Sequence, residues 1–207
     1  MARKRVLLIQ GMGGSWIMFP RLAWKIWRAG FLPKFYAPEF WPIANWRPHA
    51  QAVAALCRQL AHDSHKPVAV IGYSMGGLIA VDALLNHGAV AYIDTVIAIG
   101  SPFYGTPVAN LAAKLFGRWY PSLQQMSKKS PEMAALCAPP PFNKRLYCFG
   151  GRYDLLVWGP MNAHHPFADK NIVVPASHLL LPFVAEEQIV ALIKDDKIFP
   201  VDENREF

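Results

Sequence analysis

Gly72-Tyr73-Ser74-Met75-Gly76 has the form G-x-S-x-G, a serine framed by small residues at a spacing that suits nucleophilic chemistry. It follows the apolar run "PVAVIGY" and precedes "MGGLIAVDALLNHG", so it sits where a strand gives way to a helix. A sharp turn there lifts Oγ above the sheet edge. Flanking glycines avoid the collisions that extra Cβ atoms would cause. The bland alternative is a glycine-rich turn with an incidental serine; the strand-turn-helix setting favours a nucleophile.

A serine hydroxyl needs a base, and the base needs an acceptor that fixes its tautomer. Of seven histidines, His178 follows the last predicted strand in "VVPASHLLLP" and so reaches the same sheet edge as Ser74. His164 and His165, in a preceding loop, are the rival bases. His62, His65 and His87 fall near helix ends, where solvated polar residues are expected. Asp154 follows the fifth predicted strand in "CFGGRYDLLVWGP", giving the chain order Ser, Asp, His. Asp169, just before the sixth strand, is the rival acid at the wrong end of the sheet. Asp82 falls on the helix after Ser74 and points away.

The first strand, "RVLLIQ", runs into Gly11-Met12-Gly13-Gly14, whose backbone can approach a ligand closely. The backbone N–H groups of Met12 and Met75 are the candidate donors for an oxyanion. A nucleotide-binding loop is the competing reading of "GMGGSW". It lacks the lysine and spacing of a P-loop, and no acidic residue ends the second strand to hold a ribose.

These residues need a sheet to hold them, and the pattern supplies one. Strands "RVLLIQ", "PKFYAP", "PVAVIGY", "IDTVIAIG", "KRLYCFGG" and "NIVVPA" alternate with helices "PRLAWKIWRAG", "HAQAVAALCRQLAHD", "MGGLIAVDALLNHG" and "AEEQIVALIKD". That alternation predicts an α/β fold with a parallel sheet. The interval from Ser101 to about Phe142 is irregular, with helices expected at "VANLAAKLFGRW" and "SPEMAALC". Trp24 and Trp27 fall on the first helix and read as core. The loops above the site are aromatic: Trp16, Phe19, Phe40, Trp41, Trp46, Phe103, Tyr104 and Trp158 form an expected apolar rim, with Trp16, Phe103, Tyr104 and Trp158 as the substrate-binding candidates. Met126, Met133 and Leu136 read as the face of a covering helix or as a buried stripe.

The chain has 207 residues, 53% of them hydrophobic and 17% charged, which suits one folded domain spanning 1–207 and excludes a disordered chain. Its formal charge of +7 has no basic stripe interleaved with aromatics, so no nucleic-acid partner is expected. A weak attraction to anionic surfaces is expected, amounting at most to peripheral membrane contact. Cys57, Cys137 and Cys148 are odd in number and fit no metal spacing; free thiols, no metal and no cofactor are expected. "MARKR" precedes an apolar run too short for a secretory leader, and no segment is long enough to span a membrane, so the expected location is cytoplasmic.

Four stretches carry a resemblance: "LLIQGMGG", "GYSMGG", "AIGSPFYGTPVANL", and the spaced pair "RYDLLV" and "ASHLLL". Together they resemble the α/β-hydrolase superfamily. Within it, the chain looks like small bacterial lipases and esterases of the triacylglycerol-lipase and GPI-inositol-deacylase-like group. The resemblance implies a minimal α/β-hydrolase fold of about six mostly parallel strands with helices on both faces, and a lid-like helical insertion over 103–141. It implies a serine esterase or lipase with Ser74, His178 and Asp154 as triad. A thioesterase or acyltransferase on the same triad, or a non-catalytic binder of apolar ligands, remain the alternatives. Gln10 stands where that family usually has histidine before the glycine. Neither a calcium-site nor a disulfide pattern of its secreted members is present.

Overall fold

In the computed structural model, which describes residues 2–11, 15–37, 45–107, 114, 124–127, 130–140 and 144–195, the strands are β1 (Arg5–Ile9), β2 (Leu32–Tyr36), β3 (Val68–Tyr73), β4 (Ile93–Ile99), β5 (Arg145–Gly151) and β6 (Lys170–Val174). They form one sheet in the order β2-β1-β3-β4-β5-β6, and every neighbouring pair is parallel. Central strands β3 and β5 are buried along their whole length, as their continuous apolar runs require when helices cover both faces. Pro33 lies in β2, an edge strand, where a missing N–H costs no ladder bond on the open side.

The helices are α1 (Pro20–Arg28), α2 (Arg47–Ser64), α3 (Met75–Asn86), α4 (Pro131–Leu136), α5 (Leu181–Val184) and α6 (Glu186–Lys194) among the described residues. One face of the sheet packs on α1 and α6, through Leu22 and Ile26 from the first and Ile189 and Ile193 from the second. Burying each such side chain contributes about 1.5–3 kcal/mol. The other face packs on α2, α3 and α4, with Met126, Met133 and Leu136 part of that core, which makes them a buried stripe. Ser130 caps α4 by accepting a hydrogen bond from the Met133 N–H at 3.1 Å. Of the expected helix over "VANLAAKLFGRW" all but Lys114 lies outside the described residues, as do Phe40, Trp41 and Met12.

Two aromatic expectations are corrected. Trp24 and Trp27 are not core: both are 52% exposed, because Leu22, Ala23 and Ile26 take the inward face of α1. Phe19 and Trp46 are not rim residues: both are buried, and the Trp46 indole N–H donates to Asp82 at 3.1 Å. That bond also gives Asp82 a structural partner away from the sheet edge.

All three cysteines are free. Burial raises the Cys57 thiol to about 12, and raises those of Cys148 and Cys137 as well. The thiolate is the reactive form, so the folded protein at mild alkaline pH should react slowly with a disulfide reagent such as Ellman's, and chiefly at half-buried Cys137. Three thiols should titrate at once after denaturation; fast labelling of Cys57 in the folded state would contradict this packing.

Candidate active site

Strand order reverses direction of growth at β1: the chain goes from β1 out to β2 on one side, then returns to β3 on the other. Such a switch point opens a crevice at the carboxyl ends of the two strands. Gly11, just past β1, and Ser74, just past β3, face one another there; a Cβ on Gly11 would lie 3.0 Å from that of Ser74.

Ser74 is the N-cap of α3 and has φ 54° and ψ −122°, a left-handed conformation that a residue with a side chain rarely adopts. Its strain is sustained from several directions. The Ser74 N–H donates to Ile99 O at 2.7 Å, and its carbonyl accepts from the Gly77 N–H at 3.1 Å. A Cβ on Gly72 would come 2.3 Å from Gly76 O, and one on Gly76 would come 2.4 Å from Ile9 O, so the turn closes only because both are glycine. Met75 is the first residue of α3, so its N–H has no acceptor within the helix and lies at the positive end of the dipole.

His178 and Asp154 meet: Nδ1 of the imidazole lies 2.6 Å from Asp154 Oδ2, and both side chains are buried. The other carboxylate oxygen, Oδ1, accepts from the N–H groups of Leu156 at 3.0 Å and Val157 at 2.9 Å. The turn-forming habit of a loop aspartate and its service to an imidazole are thus the same arrangement. A carboxylate accepts only, so His178 Nδ1 must be the donor, and Nε2 is left as the basic nitrogen.

Sequence reasoning missed the residues that hold this ring. Tyr73 packs on it at 5.0 Å between centroids, and its hydroxyl donates to the His178 carbonyl at 3.2 Å. Burial first, and then the charge of Asp154, raise the Tyr73 phenol, which keeps it a donor. The signal was available: an aromatic residue directly before the serine, at the end of a fully buried strand. Gly100, with φ 58°, lies under the imidazole; a Cβ there would be 3.2 Å from its Cε1 and Nδ1.

Two of the rival groups, His165 and Asp169, are engaged elsewhere. His165 has both ring nitrogens occupied: Nε2 donates to Leu136 O at 2.7 Å and Nδ1 accepts from the Phe167 N–H at 3.2 Å. Asp169 accepts from the Leu146 N–H near the start of β5, the opposite end from Asp154. His49 Nδ1 is 3.0 Å from the Tyr36 hydroxyl, and His87 is 3.6 Å from Asp82. No group of three metal-ligating side chains occurs among the described residues.

Burial lowers the pKa of both His164 and His165. The unfolded chain protonates these rings freely, so below about pH 6.5 it binds more protons than the folded chain, and stability is lost as pH falls through that value. The thermal unfolding midpoint should therefore drop between about pH 7 and about pH 5, and His165→Gln should make the drop shallower. An unchanged slope in that variant would assign the dependence to other groups.

Of the expected substrate-binding residues, Trp158 is 64% exposed and Tyr104 is partly exposed. Trp158 has φ 66° and stands in the tight loop closed by the Gly159 N–H on Asp154 O at 2.7 Å. Phe103 is 1% exposed, packed edge-on to His165 in the core, so it is a packing residue and not part of the exposed rim. The Trp16 side chain lies outside the described residues. Exposed Leu155, Leu156, Met161, Leu179 and Leu180, which the sequence reading did not single out, stand on the two loops that carry Asp154 and His178.

The alpha/beta hydrolase family profile matches residues 6–203. The chain belongs to the alpha/beta hydrolase family. Solved structures of similar fold include the mature form of Bacillus licheniformis lipase BlEst2, with a TM-score of 0.66, 18% identity, and coverage of 93% of this chain and 92% of that one. A Paleococcus ferrophilus monoacylglycerol lipase matches with a TM-score of 0.68 and 15% identity over 93% of this chain and 96% of that one. Aspergillus fumigatus lipase B matches with a TM-score of 0.71 and 18% identity, over 92% of this chain and 51% of that one. At these identities the likeness is one of fold. No curated protein matches the chain by sequence.

Proposed function

We propose that this alpha/beta hydrolase is a serine esterase or lipase that cleaves carboxylic esters with apolar acyl groups through an acyl-enzyme. The observation that carries the reading is the 2.6 Å contact of His178 Nδ1 with an Asp154 carboxylate whose second oxygen is held by two backbone N–H groups. It leaves Nε2 basic at the sheet edge where Ser74 is held in a strained turn.

Ser74 Oγ attacks the ester carbonyl carbon as His178 Nε2 takes its proton. The resulting oxyanion accepts from the Met75 N–H and, in this proposal, from that of Met12. His178 then protonates the departing alcohol as the C–O bond breaks. Water attacks the acyl-enzyme with His178 again as base, releasing the acid and restoring Ser74. Asp154 stays ionised and stabilises the imidazolium. The exposed apolar side chains on the loops of Asp154 and His178 suit an apolar acyl group.

Kinship with the small bacterial lipase and GPI-inositol-deacylase-like group, and a covering role for 103–141, belong to the same proposal. Thioester cleavage or acyl transfer would use the same three residues. A fluorophosphonate probe should label Ser74 stoichiometrically in the wild type and leave Ser74→Ala unlabelled, and a p-nitrophenyl ester should give a burst of one product per site. Equal labelling of both proteins would end the reading. Faster turnover of acyl thioesters, or transfer to alcohols in preference to water, would select the alternatives.

A further inference from the structure

The outward face of α1 has the wrong composition for a face that meets only water. Trp24 and Trp27, three residues apart, are each half exposed. Arg28 lies over the Trp24 ring at 4.9 Å, and Arg21, one turn N-terminal to Trp24, is also exposed. The helix PRLAWKIWR contains no acidic residue. The two acids of the neighbouring α6 are already engaged: Glu186 Oε2 is 2.9 Å from both Arg21 Nε and Lys25 Nζ, and Glu187 is 2.5 Å from Lys25 Nζ. Arg28 makes no ion pair among the described residues. α1 also packs against α5, whose flanking Leu180 and its own Val184 are both exposed.

We propose that this face of α1 docks on a lipid bilayer bearing anionic headgroups. Indole rings with an apolar body and one N–H donor partition to the headgroup level of a bilayer, and guanidinium groups bind phosphate in a forked geometry. The chain's formal charge of +7 draws it toward such a surface. A second copy of this chain is a poorer occupant: a two-fold pairing would bring together two faces whose acids, Glu186 and Glu187, are already paired with Arg21 and Lys25, so Arg28 would gain no partner. No helix among the described residues is long and apolar enough to cross a membrane, so the contact proposed is shallow and reversible.

The test uses the full chain carrying Ser74→Ala, so that vesicle capture does not depend on the proposed ester cleavage. It compares flotation with vesicles of phosphatidylcholine alone and of phosphatidylcholine mixed with phosphatidylglycerol. Capture should require the anionic lipid and weaken as salt is raised. Arg28→Gln, which alters an exposed side chain, should lower capture about fivefold. Trp24→Ala/Trp27→Ala should lower it by a further tenfold or so, with circular dichroism and the unfolding midpoint near wild type. Absence of capture by anionic vesicles at low salt, equal capture by both vesicle types, or capture untouched by either variant would overturn the proposal. So would a change of sedimenting mass in the variants, which would make this face a protein interface.

Discussion

Replacing Ser74, His178, or both with alanine should cost the same: about a millionfold in the rate constant for ester cleavage in each case. The reason lies in the division of labour. A hydroxyl without a base is nearly inert, and a base without a hydroxyl has no proton to take, so the first removal eliminates what the second would have lost. Residual turnover, about a thousandfold or more above the uncatalysed rate, should persist from the Met75 N–H and from substrate binding. The strained backbone makes Ser74→Ala safe as a probe, since φ 54° is held by Ile99 O and by the close approach of Gly76 to β1, and Ala adds no atoms. Stopped-time hydrolysis of a p-nitrophenyl ester by the three variants checks this. Additive losses would mean that the two residues act independently, and the proposed proton relay would fall.

Much of this architecture was legible because the proposed site and the fold use the same residues here. The elbow glycines that permit the sharp turn at Ser74 also mark where β3 stops and α3 starts. The fully buried central strands read as continuous apolar runs, and "VAVIGY" and "RLYCFGG" correspond to β3 and β5 nearly residue for residue. Edge strands were legible for a different reason: Pro33 and Lys34 in β2 leave only part of the strand apolar. What failed was the assignment of aromatics. Periodicity says that Trp24 and Trp27 lie on a helix, but a nine-residue helix flanked on one side by α6 has room to bury only Leu22, Ala23 and Ile26. Trp46 and Phe103 erred in the opposite sense, because a loop position in sequence says nothing about which loops fold back onto the core. The neighbours of the imidazole were only partly legible: Tyr73 is marked by its place directly before Ser74, but its contact with His178, and that of Gly100, arise through strand order, which no local window contains.

Asp154→Asn should lower the cleavage rate constant about ten-thousandfold while leaving the fold intact. The geometry dictates which way the amide must face. Oδ1 of residue 154 accepts from the Leu156 and Val157 N–H groups, so the amide oxygen is held there and the NH₂ is driven to the Oδ2 position, 2.6 Å from His178 Nδ1. Two donors cannot share that contact. His178 must then accept at Nδ1, which moves its proton to Nε2, and the nitrogen that should take the Ser74 proton already carries one. Substrate affinity should change little, because Asp154 is buried behind the imidazole, so the loss should fall on kcat and not on KM. Fluorophosphonate labelling should slow by a similar factor, since it depends on the same proton transfer. Hydrolysis and labelling near wild-type rates would show that the imidazole keeps its tautomer without the carboxylate, and would remove Asp154 from the machinery while leaving Ser74 and His178 in place.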